Sequence, residues 1–308
     1  MVRLLYQDEI ESYFAPAVVM EGRQVRYRDH LVSLVDRVNK SVGREDSSTR
    51  EELQYYKDET ILTLYTFVSI DKIYRTPAGK NIWKDIFTKA FQDRETVMEL
   101  EALLSYKSRM VLETPLPPTE EIKSKIVQWA RSNPHPVKYV RDKFQTSRIE
   151  DPTMADVTLT FQDEHAEGSK PKAVVCFECK FMSDISHETT HHYARNQIAR
   201  IIDVGWSLYG DGFYFVLVTP QIFKDSKSRF YGYKMRDYQS GDLDMLKQDL
   251  LIGGDIPDGD LPLISRKIGW ISWEDLIQTL FQFQGSVAEV PFKELADFFR
   301  ERKLLQLD

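Results

Sequence analysis

Ala155-Asp156-Val157-Thr158-Leu159-Thr160-Phe161 and Ala173-Val174-Val175-Cys176-Phe177-Glu178-Cys179-Lys180-Phe181 flank a polar turn, His165-Ala166-Glu167-Gly168-Ser169-Lys170-Pro171. The first segment alternates polar and apolar residues, and the second is apolar until Glu178. Both patterns belong to strands. Residues two apart on a strand share a face, so Glu178 and Lys180 point the same way. If the segments pair as a hairpin, Asp156 sits beside that face. Two carboxylates and an ammonium then meet at one strand end. That is a hard-oxygen site for a divalent cation with an amine next to it. An edge strand with a surface Glu-Lys pair would carry the same letters. Val174, Val175, Phe177 and Phe181 argue for a buried strand instead, where unpaired charges are costly.

Asp156 followed by Glu178-x-Lys180 on an apolar strand resembles the PD-(D/E)xK nuclease superfamily. Members often carry a Pro directly before the Asp; here Ala155 stands there and Pro152 lies further upstream. The resemblance implies an α/β fold with a mixed central sheet and flanking helices, the restriction-endonuclease-like core. It implies Mg²⁺ or Mn²⁺ held by Asp156 and Glu178, the Cys179 backbone carbonyl as a further ligand, and Lys180 as the catalytic amine. The expected activity is divalent-metal-dependent phosphodiester hydrolysis, by a DNA endonuclease of restriction, repair or defence. Two alternatives stay open. One is a nucleic-acid-binding or scaffold subunit that keeps the fold without cleavage; the other is a nuclease directed at RNA.

Ser186–Tyr209 has helical periodicity, with Ala194, Ile198, Ile201, Ile202, Gly205 and Trp206 on one stripe. Arg195, Asn196, Arg200 and Asp203 fall opposite. Gly210-Asp211-Gly212 stops the helix, and Phe213–Thr219 is an apolar run ending at Pro220. Strand, helix and strand make a crossover unit, so segments 173–181 and 213–219 are expected to be parallel and buried. Arg195-Asn196-Gln197-Ile198-Ala199-Arg200 resembles the helix that members place behind the metal. There Gln197 would steady the site, and Arg195 and Arg200 would touch phosphate. A solvated helix face accounts for Arg200 equally well.

The family usually adds an acid from a helix before the first core strand. Thr119–Ala130 is the expected helix, started by Pro117-Pro118-Thr119 and ended by Asn133-Pro134. Glu121, on its Ile122/Lys125 side, could reach the metal or its water. Acids in a first turn also serve the helix dipole, and Glu99 and Glu101 are rivals. Val137–Phe144 is the expected first strand. Before it, Arg28–Asn39, Thr49–Tyr74, Lys80–Phe91 and Arg94–Met110 have helical periodicity. Residues 1–113 are thus expected as a helical module, with the boundary at Pro115-Leu116-Pro117-Pro118. Residues 114–308 would be the nuclease-like α/β domain. Its C-terminal extension would hold strand Ile268–Ser272, helix Trp273–Phe283 and a last helix, Pro291–Leu305.

Cys176 and Cys179 with His187 and His191 raise zinc as a competitor. The gap from Cys179 to His187 is short for a finger, and strand residues three apart face opposite ways. Buried, reduced thiols are expected, which suits the cytoplasm. His187, His191 and His192 lie just past the strand and take no assigned role.

The chain has 308 residues, 42% hydrophobic and 12% aromatic, enough for a full core. It has no apolar run long enough for a membrane span. The net charge is −7, yet Ile122–Arg148 holds seven cations against Asp142 and carries +6. Lys224–Arg236 interleaves cations and aromatics. Nucleic acid, DNA first, is the expected partner. Lys138, Arg141, Lys227 and Arg229 would contact phosphate and Tyr231 would stack on bases. A homodimer or a place in a larger nuclease complex is also compatible with the long flanks.

Overall fold

The computed structural model describes residues 12–14, 59–134, 136–140, 152–163, 170–186, 195–226, 228–240, 243–257 and 259–305. Among them, five strands form one sheet in the order β1-β2-β3-β4-β5. They are β1 (Lys107–Leu116), β2 (Thr153–Gln162), β3 (Ala173–Cys179), β4 (Phe213–Thr219) and β5 (Ile268–Ser272). β1, β2 and β3 pair antiparallel; β3, β4 and β5 pair parallel. Every residue of β3, β4 and β5 is buried. Continuous apolar runs are what a strand covered on both faces requires.

Helices supply the two covers. On one face lie α1 (Glu59–Tyr74), α2 (Ile82–Ala90) and α3 (Arg94–Leu103). The opposite face is covered by α4 (Glu120–Ser132), α5 (Gln197–Tyr209) and the short helices α6 (Gln221–Ser226), α7 (Phe230–Gln239), α8 (Leu243–Asp249) and α9 (Asp260–Arg266). Finally, α10 (Trp273–Phe281) and α11 (Phe292–Glu301) join the first cover. Alternation divides β3 between the two cores: Val175, Phe177 and Cys179 face α1 and α2, while Val174 and Cys176 face α5. Phe177 packs against Phe67 at 5.1 Å and Trp83 at 5.9 Å between ring centroids. α5 approaches β4 closely because Gly205 has no side chain; a Cβ there would lie 2.1 Å from the Phe213 ring.

Several expectations change. The first strand is β1, not Val137–Phe144. Residues Lys138–Val140 form a single helical turn, and 141–144 lie outside the described residues. The helix expected to run to Met110 ends at Leu103, because Met110 and Leu112 bury on alternate positions, a period of two. The boundary expected after residue 113 therefore falls inside β1, and α1–α3 close the sheet rather than stand apart. The helix expected from Ser186 begins at Gln197, where the Asn196 side chain accepts from the Ala199 N–H at 3.0 Å. The expected helix Arg28–Asn39 lies outside the described residues. No helix among the described residues is long and apolar enough to cross a membrane.

Candidate active site at the ends of the central strands

The paired register sets the site. β2 and β3 pair Val157 with Phe177, and one step further places Asp156 opposite Glu178. On the other side, β1 pairs Leu112 with Val157 and Thr114 with Ala155, so Glu113 lies opposite Asp156. Three carboxylates thus form a row across three neighbouring strands. Like charges directly opposite one another destabilise a sheet. Glu113 also takes a left-handed φ of 50° inside its strand, a conformation that costs a residue with a side chain about 1–3 kcal/mol.

Asp156 Oδ2 accepts from the Cys179 N–H at 2.6 Å. The next amide, Lys180 N–H, donates to Val218 at 2.8 Å on the other side of β3. A ladder residue turns its N–H and C=O toward the same neighbour, so the Cys179 carbonyl belongs to the Asp156 side.

Glu178 is 2% exposed. Its Oε1 accepts from Lys180 Nζ at 2.7 Å and from Gln197 Nε2 at 2.5 Å. Its Oε2 is buried without a hydrogen-bond partner among the described residues. An orphaned buried polar atom costs about 1–3 kcal/mol, and more when charged. Gln197 is fixed in turn, since its Oε1 accepts from the Ser186 N–H at 3.3 Å and its own N–H donates to Ser186 at 3.0 Å.

Lys180 Nζ also lies 3.7 Å from Glu59 Oε1. Glu59 Oε2 holds the chain just past β3, accepting from the Phe181 N–H at 2.5 Å and Ser183 Oγ at 2.8 Å. Glu59 of α1 is thus a helical acid that reaches Lys180. Glu121 is exposed on α4 and pairs with Lys125 at 3.0 Å; Lys125 also pairs with Asp255. The rivals also lie elsewhere: Glu99 binds Tyr214, Arg266 and Lys267, and Glu101 pairs with Lys84.

The electrostatics follow from burial. Desolvation raises the Asp156 carboxyl well above its usual range; Glu178 raises it further and Lys180 opposes. Desolvation likewise raises Glu178, against Lys180. Burial alone would lower the Lys180 ammonium, but Glu178, Asp156 and Glu59 outweigh it and drive its pKa upward. The neighbouring carboxylates therefore favour the charged form of Lys180.

These features fit a hard divalent ion. The Glu178 Oε2 atom lacks a hydrogen-bond partner among the described residues, and Asp156 and Glu178 face each other with Lys180 beside them. No three or more His, Cys, Asp or Glu side chains among the described residues converge as a metal cage. Mg²⁺ does not need one, because it keeps several waters and takes one or two carboxylates.

The cysteines diverge, Cys176 into one core and Cys179 into the other, and burial pushes both thiols up. His187, His191 and His192 lie outside the described residues, as do Arg141 and Lys227. Lys138 is exposed on its helical turn. Two expected nucleic-acid contacts are corrected. Arg195 is fully buried and pairs with the equally buried Asp203 at 2.8 Å, because it precedes α5 rather than lying on its outer face. Tyr231 is also fully buried, edge-on to Trp270 at 6.3 Å, so it offers no stacking face. Arg200 is half-buried on α5. Arg229 donates to the Met182 carbonyl at 3.1 Å, close to the end of β3.

No family model, curated protein or solved structure matches this chain.

Proposed function

We propose that the chain is a divalent-metal-dependent phosphodiesterase of the PD-(D/E)xK type, a nuclease acting on DNA. The observation that carries this is the meeting of Asp156, Glu178 and Lys180, with the orphaned Glu178 Oε2, at one end of a hairpin. The chain order supports it too: antiparallel hairpin, helix, then parallel strand is the order of that nuclease core.

Asp156, Glu178 and the Cys179 carbonyl would hold Mg²⁺ or Mn²⁺. Such an ion supplies Lewis-acid polarisation of a phosphate oxygen and an acidified water. The chain's own groups do the rest. Lys180, held protonated, donates to the oxygens of the phosphate as negative charge builds on them. Glu59 keeps that ammonium charged and in place. Gln197 fixes Glu178 through one oxygen and leaves the other for the ion. In the net reaction the water oxygen bonds to phosphorus, one P–O ester bond breaks, and the leaving oxygen takes a proton.

The test is a substrate panel of plasmid, linear duplex, single strand and RNA, each with Mg²⁺, Mn²⁺ or EDTA. Cleavage that requires the metal and is lost in Asp156→Asn is expected. Metal-independent cleavage, or none on any substrate, would overturn the proposal. Binding without cleavage would favour a scaffold role, and cleavage of RNA alone would move the substrate.

A further inference from the structure

Arg229 stands just before α7 and is half-buried, while Tyr233 and Arg236 are exposed on the helix one turn apart, so the three follow one another along its side. Arg236 stacks on Tyr233 at 5.5 Å. At the other end Arg229 lies 4.5 Å over the Phe223 ring and donates to the carbonyl of Met182. Met182 is two residues past Lys180, so the stripe starts at the mouth of the candidate site. Apolar side chains are exposed beside it: Met182 is 57% exposed, Ile222 66% and Tyr233 50%. These are three of the seven exposed large hydrophobic residues among those described, and Arg229 links the segments of two of them, touching the Met182 carbonyl and the ring of Phe223 next to Ile222.

Exposed apolar area with guanidinium groups along its length suits a ligand that is both anionic and flat-faced. A duplex offers phosphate but hides its base faces in the stack. An unpaired strand offers both, and stacking of its bases on an aromatic ring is worth about 1–3 kcal/mol each. We propose that the Arg229–Tyr233–Arg236 stripe is a track for an unpaired nucleic-acid strand leading to the Asp156–Glu178–Lys180 site. Phosphates lie against Arg229 and Arg236, and a base stacks on Tyr233 with Met182 and Ile222 beside it. Asp237, 3.7 Å from Arg236, weakens that contact without removing it. This track rests on the reading of the site as a phosphodiesterase.

The experiment is fluorescence anisotropy in EDTA on the full chain, where binding is read without cleavage. The probes are labelled oligothymidylate and a hairpin duplex of equal length. The parent is expected to bind the single strand more tightly. Tyr233→Ala should weaken single-strand binding about tenfold, as loss of one stacked base implies, and should leave duplex binding nearly unchanged. Tyr233→Trp should keep single-strand affinity, and Arg236→Ala should flatten its salt dependence. Equal binding of both probes, an unaffected Tyr233→Ala, or no nucleic-acid binding at all would overturn the track; the last result would leave this face to a protein partner. The two proposals fail separately. Plasmid cleavage by Tyr233→Ala at the parent rate with single-strand binding unchanged removes the track alone. Tyr233-dependent binding in a chain that cleaves nothing removes the phosphodiesterase alone.

Discussion

Glu178 concentrates the problem at the scale of one residue. Its Oε1 already serves Lys180 and Gln197, and its Oε2 serves nothing among the described residues. Asp156, across the ladder, bears the charge of Glu178 on one side and Glu113 on the other. An arrangement that costs stability and persists is a mark of function. Asp156→Asn and Glu178→Gln are expected to lose at least about a thousandfold in cleavage rate, since the ion and its water go with the carboxylate. Asp156→Asn should melt no lower than the parent at neutral pH, because it removes one of two facing like charges. Thermal melts and single-turnover rates check both halves; an active Asp156→Asn would refute the assignment. Lys180→Arg should recover little of what Lys180→Ala loses, because a planar fork replaces a compact ammonium held between Glu178 and Glu59.

The pH dependence belongs with these residues. Asp156 and Glu178 have folded-state pKa values raised by burial. The folded chain therefore holds their protons more tightly than the unfolded chain does. Stability from this source is present at low pH and is lost as pH rises through the window above the usual carboxylate values of about 4. A bound cation competes with those protons, so the rise in melting temperature caused by Mn²⁺ should grow with pH across that window. A metal-induced shift that is flat with pH would contradict raised carboxyls as the ion's ligands.

Elements carry the site through their ends. α5 starts at Gln197 because Asn196 caps it, and that start delivers the amide to Glu178. The buried Asn196 amide also donates to Tyr238 at 2.8 Å, which bonds Asp249 at 2.6 Å, so α7 and α8 fix the same turn. Gly205→Ala should cost about 1–3 kcal/mol in urea unfolding, since its Cβ would press on Phe213 where α5 crosses β4. Much at this scale was legible in the sequence. The hairpin, the parallel pair β3–β4, strand β5 and the cap at Thr119 follow from alternation, apolar runs and stop signals. β1 was not legible, because Arg94–Met110 runs helical letters into a strand without a glycine or proline between them. Arg195 misled for a related reason: a polar letter on a helical wheel reads as solvent-facing, while here it precedes the helix and finds a buried Asp203. Glu59 left no local signal. Its place at Lys180 is set by packing of α1 on the sheet, across more than a hundred residues of chain.

At the scale of the whole molecule, the N-terminal helices and the sheet are one structure. Phe67 of α1 and Trp83 of α2 close over Phe177 of β3, and Lys89 reaches Thr279 of α10 at 2.9 Å. Removing residues 1–113 would take α1–α3 off one face of the sheet and delete most of β1, its edge strand. That fragment is expected to unfold without a cooperative transition; cooperative melting of residues 114–308 alone would restore the two-part division that the sequence suggested. The helices also give the site Glu59, so the charge balance at Lys180 depends on the intact chain. The central claim is that this balance is completed by a divalent ion between Asp156 and Glu178. Calorimetric titration of the full chain with Mn²⁺ tests it most directly. The account requires one ion per chain in the parent, lost in Asp156→Asn and in Glu178→Gln and kept in Lys180→Ala. No binding in the parent, or equal binding in Asp156→Asn, would contradict it.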